Sequence, residues 1–156
     1  MKIKIIALGK IKEKFLKDGI DEFLKRLNPY ASVEIVELSP VEIRDESLTG
    51  RALEQEAEKI LSNIKPNSYV ITMEILGKQL SSEDFAQKIN EITVSGIGEL
   101  VFVIGSSCGI APIVSQRADF KLSISKMTFL HQFARLLLVE QIYRAFKILK
   151  YETYHK

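Results

Sequence analysis

The sequence predicts a single α/β domain: a largely parallel sheet with helices on both faces. Three observations carry this prediction. Strand-like apolar runs alternate with helix-spaced apolar positions along all 156 residues. The run Leu100-Val101-Phe102-Val103-Ile104 is continuously apolar, as a strand covered on both faces requires. Turn signals such as Asn28-Pro29, Pro66-Asn67 and Gly105-Ser106-Ser107-Cys108-Gly109 separate the periodic segments.

The elements follow in order. Residues 2–8 (KIKIIAL) read as a strand. Residues 15–27 carry apolar side chains at 15, 16, 20, 23, 24 and 27, a helical stripe. Residues 33–38 give a second strand, and 39–50 are the least periodic stretch, expected as a mobile loop. A charged helix over 51–64 has a thin stripe at 53, 57, 60, 61 and 64. A third strand covers 69–75. Ser81 and Asp84 are spaced as a variant capping box for a helix reaching about Thr93. After the 100–104 strand, Pro112 suits the first turn of a short helix to Arg117. A fifth strand covers 120–124, and a long helix runs from His131 to Leu149.

Composition bounds the function. Hydrophobic content of 46% and charged content of 27% describe an ordinary globule of one domain. The single Cys108 excludes an internal disulfide and is expected as a small buried residue rather than a catalytic thiol. The apolar stretch near the N-terminus is too short for a signal-peptide core, and no run approaches membrane-spanning length, so a cytoplasmic protein without a membrane partner is expected. Net charge is +2, but its distribution is uneven. Residues 1–28 hold eight Lys/Arg against four Asp/Glu, 34–58 hold two against eight, and 126–156 hold six against two plus both histidines. Basic ends of this kind suit either solvated helix faces or a phosphate-facing surface.

In open parallel sheets, ligands bind beyond the carboxyl ends of the strands. Three such ends are chemically distinctive: Met73 to Gly77, Gly105 to Gly109, and Ser123 to Phe129. The GSSCG loop lacks both the Lys-Ser/Thr of a P-loop and the glycine spacing of a dinucleotide fingerprint. Two histidines and one cysteine, far apart, disfavour a zinc site. No G-x-S-x-G elbow is present. Glu54, Glu56 and Glu58 alternate between helix faces and form no paired-carboxylate site.

The C-terminal helix is apolar over more of its circumference than one sheet face needs: Phe133, Leu136, Leu137, Ile142, Phe146 and Leu149, extended by Leu138 and Val139. A second buried face points to a partner, most simply another copy of the chain. Glu140 and Arg144 stand at i, i+4 with Lys147 on the same side, which reads as a surface pair or as a phosphate contact. His131 reads as a capping residue or a functional one. Tyr154-His155-Lys156 combines stacking groups with charge, as nucleic acid contacts require.

These blocks resemble a known family. KIIALGKIKEK, VFVIG, LSISKMTF, the HQ…R…LVEQIYRAFKI helix and the final YHK are similar, over the whole chain, to the SPOUT-class methyltransferases that modify N3 of a pseudouridine in 23S ribosomal RNA. The resemblance implies an α/β fold with a C-terminal trefoil knot and a homodimer. It implies S-adenosylmethionine as methyl donor, with no metal. Donor contacts would come from Met73, Gly105, Ile124, Ser125, Lys126, Met127, Thr128 and Phe129. His131, Arg144, Tyr154 and His155 would be catalytic, and Arg144 and Lys156 would bind RNA. The target would lie in the helix 69 loop of the assembled ribosome. A relative that binds ribosomes without donor, or a small-molecule enzyme, are the alternatives. Departures from the family pattern fall at Met73 (usually Leu), Ser106 (the second of two glycines), Leu130 (usually Pro) and Lys150-Tyr151-Glu152-Thr153 (usually with Gly).

Overall fold

All the strand pairings in the sheet run parallel, so every strand delivers its carboxyl end to the same edge. The computed structural model describes residues 1–155. In chain order the elements are β1 (Lys2–Leu8), α1 (Lys14–Leu27), β2 (Ser32–Leu38), α2 (Thr49–Ser62), β3 (Tyr69–Gln79), α3 (Ser82–Val94), β4 (Glu99–Ile104), α4 (Pro112–Arg117), β5 (Phe120–Ser123) and α5 (His131–Leu149). The strand order is β2-β1-β4-β3-β5.

The pleat explains the layers. Successive side chains of a strand point to opposite faces. Ile3, Ile5 and Ala7 of β1, with Leu100, Phe102 and Ile104 of β4, pack under α1, α3 and α5. Ile6 and Leu8 of β1, with Val101 and Val103 of β4, pack under α2 and α4 through Ala57, Ile60 and Val114. Strand β4 is therefore apolar on both sides from Leu100 to Ile104, which is why it reads as an unbroken run, whereas β1 includes a buried cation, Lys4.

Local chemistry sets the boundaries. Ser81 caps α3: its side chain accepts from the Asp84 amide at 3.0 Å, the contact that the sequence spacing predicts. Pro112 occupies the first turn of α4.

Several expectations are corrected. Part of the polar 39–50 stretch is ordered as helix: Asp45 caps a single 3-10 turn over Glu46–Leu48, and α2 starts at Thr49. Strand β3 continues past residue 75: pairing with β5 breaks between Met73 and Lys78, then resumes. The four intervening residues bulge out at the sheet edge. Phe15, read as part of the α1 stripe, is exposed, and Leu16 and Ile20 carry the burial. Cys108 is only half-buried.

The largest correction concerns α5. Its buried residues are Gln132, Arg135, Leu138, Val139, Ile142, Tyr143, Ala145 and Phe146. Leu138 and Val139 face the core rather than a second partner, whereas Phe133 is 39% exposed. Arg135, a cation that the stripe left out, is 1% exposed. It donates from Nη2 to the Gly9 carbonyl at 2.9 Å and pairs through Nη1 with Glu37 at 3.1 Å. The chain can present that carbonyl because Gly9, leaving β1, adopts φ +93°, a conformation that costs glycine little.

Candidate active site

A cleft of about 660 Å³ opens at the carboxyl edge of the sheet. That volume lies in the range of small-molecule sites, roughly 300–1,000 Å³. Three strand ends wall it. The β3 bulge supplies Met73 to Leu76, the loop after β4 supplies Gly105, Ser106, Ser107, Gly109 and Ile110, and the segment after β5 supplies Ile124, Ser125 and Met127 to His131. Of the eight residues expected at a donor site, seven line this one cleft; Lys126 belongs to the same loop but is not part of the wall.

The wall is mainly backbone and apolar side chain, and the reason differs at each strand end. After β4 the chain must turn back at once: Gly109 N donates to the Ser106 carbonyl at 2.9 Å, closing the loop. A Cβ on Gly105 would lie 2.3 Å from the Gly109 carbonyl oxygen, so only glycine fits. After β5, Ser123 Oγ donates to the Ser125 carbonyl at 2.9 Å, and Ser125 Oγ accepts from the Met127 amide at 3.0 Å. These two turns shape the loop that lines the cleft. In the β3 bulge, Glu74 is held by hydroxyls: Thr72 Oγ1 donates at 2.6 Å and Ser115 Oγ at 3.1 Å.

His131 starts α5 at the cleft wall. Burial, and then the neighbouring charges of Arg135 and Lys12, hold its imidazole below the usual histidine range. It is therefore neutral near pH 7 and can accept a proton. The basic 9–13 segment packs beside it: Lys12 N donates to Gln132 Oε1 at 3.0 Å. Leu130, where the family usually has Pro, has φ −55°, a value proline itself adopts, so the backbone entry to α5 is kept.

Arg144, Tyr154 and His155 come together elsewhere. Arg144 donates from Nε and Nη2 to Glu140 Oε1, at 3.1 and 2.6 Å. Its guanidinium carbon sits 4.7 Å from the Tyr154 ring centroid, and Nη1 is 3.3 Å from His155 Nδ1. Tyr154 Oη donates to Glu140 at 2.9 Å, and its ring packs edge-on against Tyr143 at 4.9 Å. His155 Nε2 is 2.7 Å from Glu83. Burial, then the bond to Glu140, pushes the Tyr154 phenol up, so it stays protonated. The i, i+4 pair expected at Glu140–Arg144 is present. Lys147 instead pairs with Glu152, which raises its amine to about 12.

The tail reaches this cluster through an unusual turn. Tyr151 has φ +55° and caps α5, with Tyr151 N bonded to the Ile148 carbonyl and Glu152 N to the Lys147 carbonyl. This turn lies in the Lys150-Tyr151-Glu152-Thr153 segment, which in the family usually contains Gly. Lys156 lies outside the described residues.

The two groups stand at opposite ends of one helix. Thirteen residues separate His131 from Arg144, and a rise of about 1.5 Å per residue puts them roughly 20 Å apart. One chain does not bring the tail to its own cleft. The sequence named Glu56 only to discount it as a paired carboxylate and held Arg135 only within the HQ…R block, and it gave Glu74 and Glu83 no role; the packing shows the partners of all four. Among the described residues, no group of three or more His, Cys, Asp or Glu could hold a metal ion, and no helix is long and apolar enough to cross a membrane.

Comparison with known proteins places the chain. The family model described as "Predicted SPOUT methyltransferase" matches residues 1–155. A protein of Methanococcus maripaludis named "Putative ribosomal RNA large subunit methyltransferase H" is 47% identical over 163 aligned residues, covering 100% of both chains. "Ribosomal RNA large subunit methyltransferase H" of Carboxydothermus hydrogenoformans is 48% identical over 165, again covering both in full. Among solved structures, a probable methylase family protein of Haemophilus influenzae superposes with a TM-score of 0.52 over 96% of this chain and 66% of that one. At 14% identity that likeness shows the fold alone. A full-length family match and two full-length relatives near half identity make this chain a methyltransferase of the SPOUT family.

Proposed function

We propose that this enzyme methylates N3 of a pseudouridine in the helix 69 loop of 23S ribosomal RNA, with S-adenosylmethionine as donor and the assembled ribosome as substrate. The observation that carries the reading is the cleft: three strand ends, at the positions where the resemblance expects donor contacts, converge on one cavity beside His131. Its size suits a nucleoside-containing donor. Its bare backbone at Gly105 and after β5 offers amides and carbonyls at close range.

The donor supplies an already activated methyl on a positive sulfur. The protein's tasks are alignment and proton handling. In this reading neutral His131 accepts the N3 proton while the ring nitrogen bonds to the methyl carbon, the carbon–sulfur bond breaks and the neutral thioether leaves. Arg144 binds RNA phosphate or steadies the deprotonated ring, with Tyr154 and His155 beside it, and Lys156 is expected to add an RNA contact. Because the cleft and this cluster lie roughly 20 Å apart on one helix, the reading requires two copies, the tail of one serving the cleft of the other. Exposed Leu76, Met127, Leu130 and Phe133 around the cleft and the start of α5 support a covered face there. The trefoil knot and a cytoplasmic setting belong to the same reading.

The test is mass spectrometry of ribosomal RNA after incubation with donor and either assembled ribosomes or naked RNA. One added methyl on a pseudouridine, from ribosomes only, is the expected result; no methylation of either sinks the proposal. Two variants sharpen it. Gly105→Ala forces a side chain into the Gly109 carbonyl and is expected to cost about 1–3 kcal/mol of stability by overpacking, together with donor binding by calorimetry. The acid limb of the rate profile reports His131: its lowered affinity for protons predicts an apparent pKa below the ordinary 6.5. A limb that survives His131→Asn would assign it to another group.

A further inference from the structure

Four charged side chains are buried among the described residues: Lys4, Glu56, Glu99 and Arg135. Lys4 and Glu99 pair with each other at 3.6 Å, and Arg135 pairs with Glu37 at 3.1 Å. Glu56, 3% exposed on α2, takes part in none of the ion pairs among the described residues. A buried carboxylate without a cation is costly unless hydrogen bonds replace its water. Glu56 has two, from two separate loops. Oε1 accepts from the Val41 amide, in the loop after β2, at 3.0 Å. Oε2 accepts from Ser106 Oγ, in the cleft loop after β4, at 2.8 Å.

Ser106 passes this restraint into the cleft wall. Its Oγ accepts in turn from the Cys108 amide at 3.3 Å, and its carbonyl accepts from Gly109 N at 2.9 Å. The whole 105–109 turn therefore hangs from one carboxylate that lies behind it. Ser106 is also the residue standing where the family usually has a second glycine. The freedom lost by that replacement is matched by a bond that glycine could not make.

We propose that Glu56 is a positioning residue: through Ser106 it holds the Gly105–Gly109 backbone in the shape that receives the methyl donor. This rests on the donor reading above. It predicts an effect on donor binding, with the chemical step and the RNA step left alone.

The experiment is calorimetry with S-adenosylmethionine on the wild type, Ser106→Ala, Glu56→Gln and the double variant, with thermal melts and steady-state kinetics on ribosomes. Ser106→Ala loses both side-chain bonds but keeps the Glu56 carboxylate and its bond from the Val41 amide, so it stays informative if Glu56→Gln folds poorly. Each single variant is expected to weaken donor binding about tenfold, the effect of one charge-assisted hydrogen bond. The KM for donor rises alike, while kcat and the KM for ribosomes stay within about twofold. Because both residues act through one bond, the double variant binds no more weakly than the weaker single. Wild-type donor affinity in a folded Ser106→Ala protein, or fully additive losses, overturns the proposal. A wild-type protein that binds no donor overturns the donor reading and this proposal with it.

Discussion

Arg144→Ala is expected to lower methylation of ribosomes by about 10²–10⁴-fold, the range for losing a positioned charge or proton-handling group, with donor affinity unchanged. Removal of residues 154–156 is expected to do the same. Glu140 accepts both from the guanidinium and from the Tyr154 hydroxyl, so side chains from the helix and the tail are arranged by one carboxylate before RNA arrives. Arg144 also stacks on the Tyr154 ring, which restricts both. The donor cleft lies at the other end of α5 and loses no contact in either variant. Truncation does remove the edge-on packing of Tyr154 on Tyr143, about 0.5–1.5 kcal/mol, so a melt should accompany the assay. Full activity in the truncated protein would remove the tail from the mechanism.

Arg135→Ala is expected to cost about 2–5 kcal/mol of unfolding free energy, the range for truncating a large buried side chain, measured by chemical denaturation. The guanidinium fills space between α5 and the end of β1, satisfies the Gly9 carbonyl and pairs with Glu37. Alanine leaves a cavity and strips both acceptors of their donor. Arg135→Met, which keeps most of the volume, should cost less; equal costs would mean that charge alone matters. The charge also bears on pH. Arg135 helps to hold His131 below its usual pKa, so folding disfavours the protonated imidazole. That contribution to stability is complete above the unfolded value near 6.5 and fades as pH falls. Without Arg135 the acid-side loss should shrink. A loss below about 1 kcal/mol for Arg135→Ala would contradict its structural weight.

Elements with strong local chemistry were legible in the sequence. Strand β1 and helix α5 match their expected bounds at both ends. The capping serine of α3 and the proline of α4 act where their chemistry predicts. Bulges are less legible: Glu74, Gly77 and Lys78 break the apolar pattern and read as the end of β3, whereas the strand leaves its ladder there and rejoins it at Lys78. The faces of α5 were misread for a related reason: periodicity ranks residues by hydrophobicity, and so it passes over an arginine that burial requires.

The departures from the family pattern show the same division. A sequence shows Ser106 and Leu130 as replacements for glycine and proline, and Lys150-Tyr151-Glu152-Thr153 as a replaced segment. Only the coordinates show that Ser106 gains a bond to Glu56, that Leu130 keeps a proline-like φ, and that Tyr151 accepts a left-handed turn.

By itself the sequence determined the α/β class, the order of elements and the family to which the chain belongs. These depend on short-range patterns and on motifs such as SKMTF and YRAFKI, which survive in a linear text. The tertiary structure decided that the strand-end loops share one cleft and that the tail cluster stands a helix length away from it. It also decided that Glu56 and Arg135 are buried. Those facts depend on pairings between residues 50 and 126 positions apart, such as Glu56 with Ser106 and Gly9 with Arg135. Packing creates such contacts, and no local pattern encodes them.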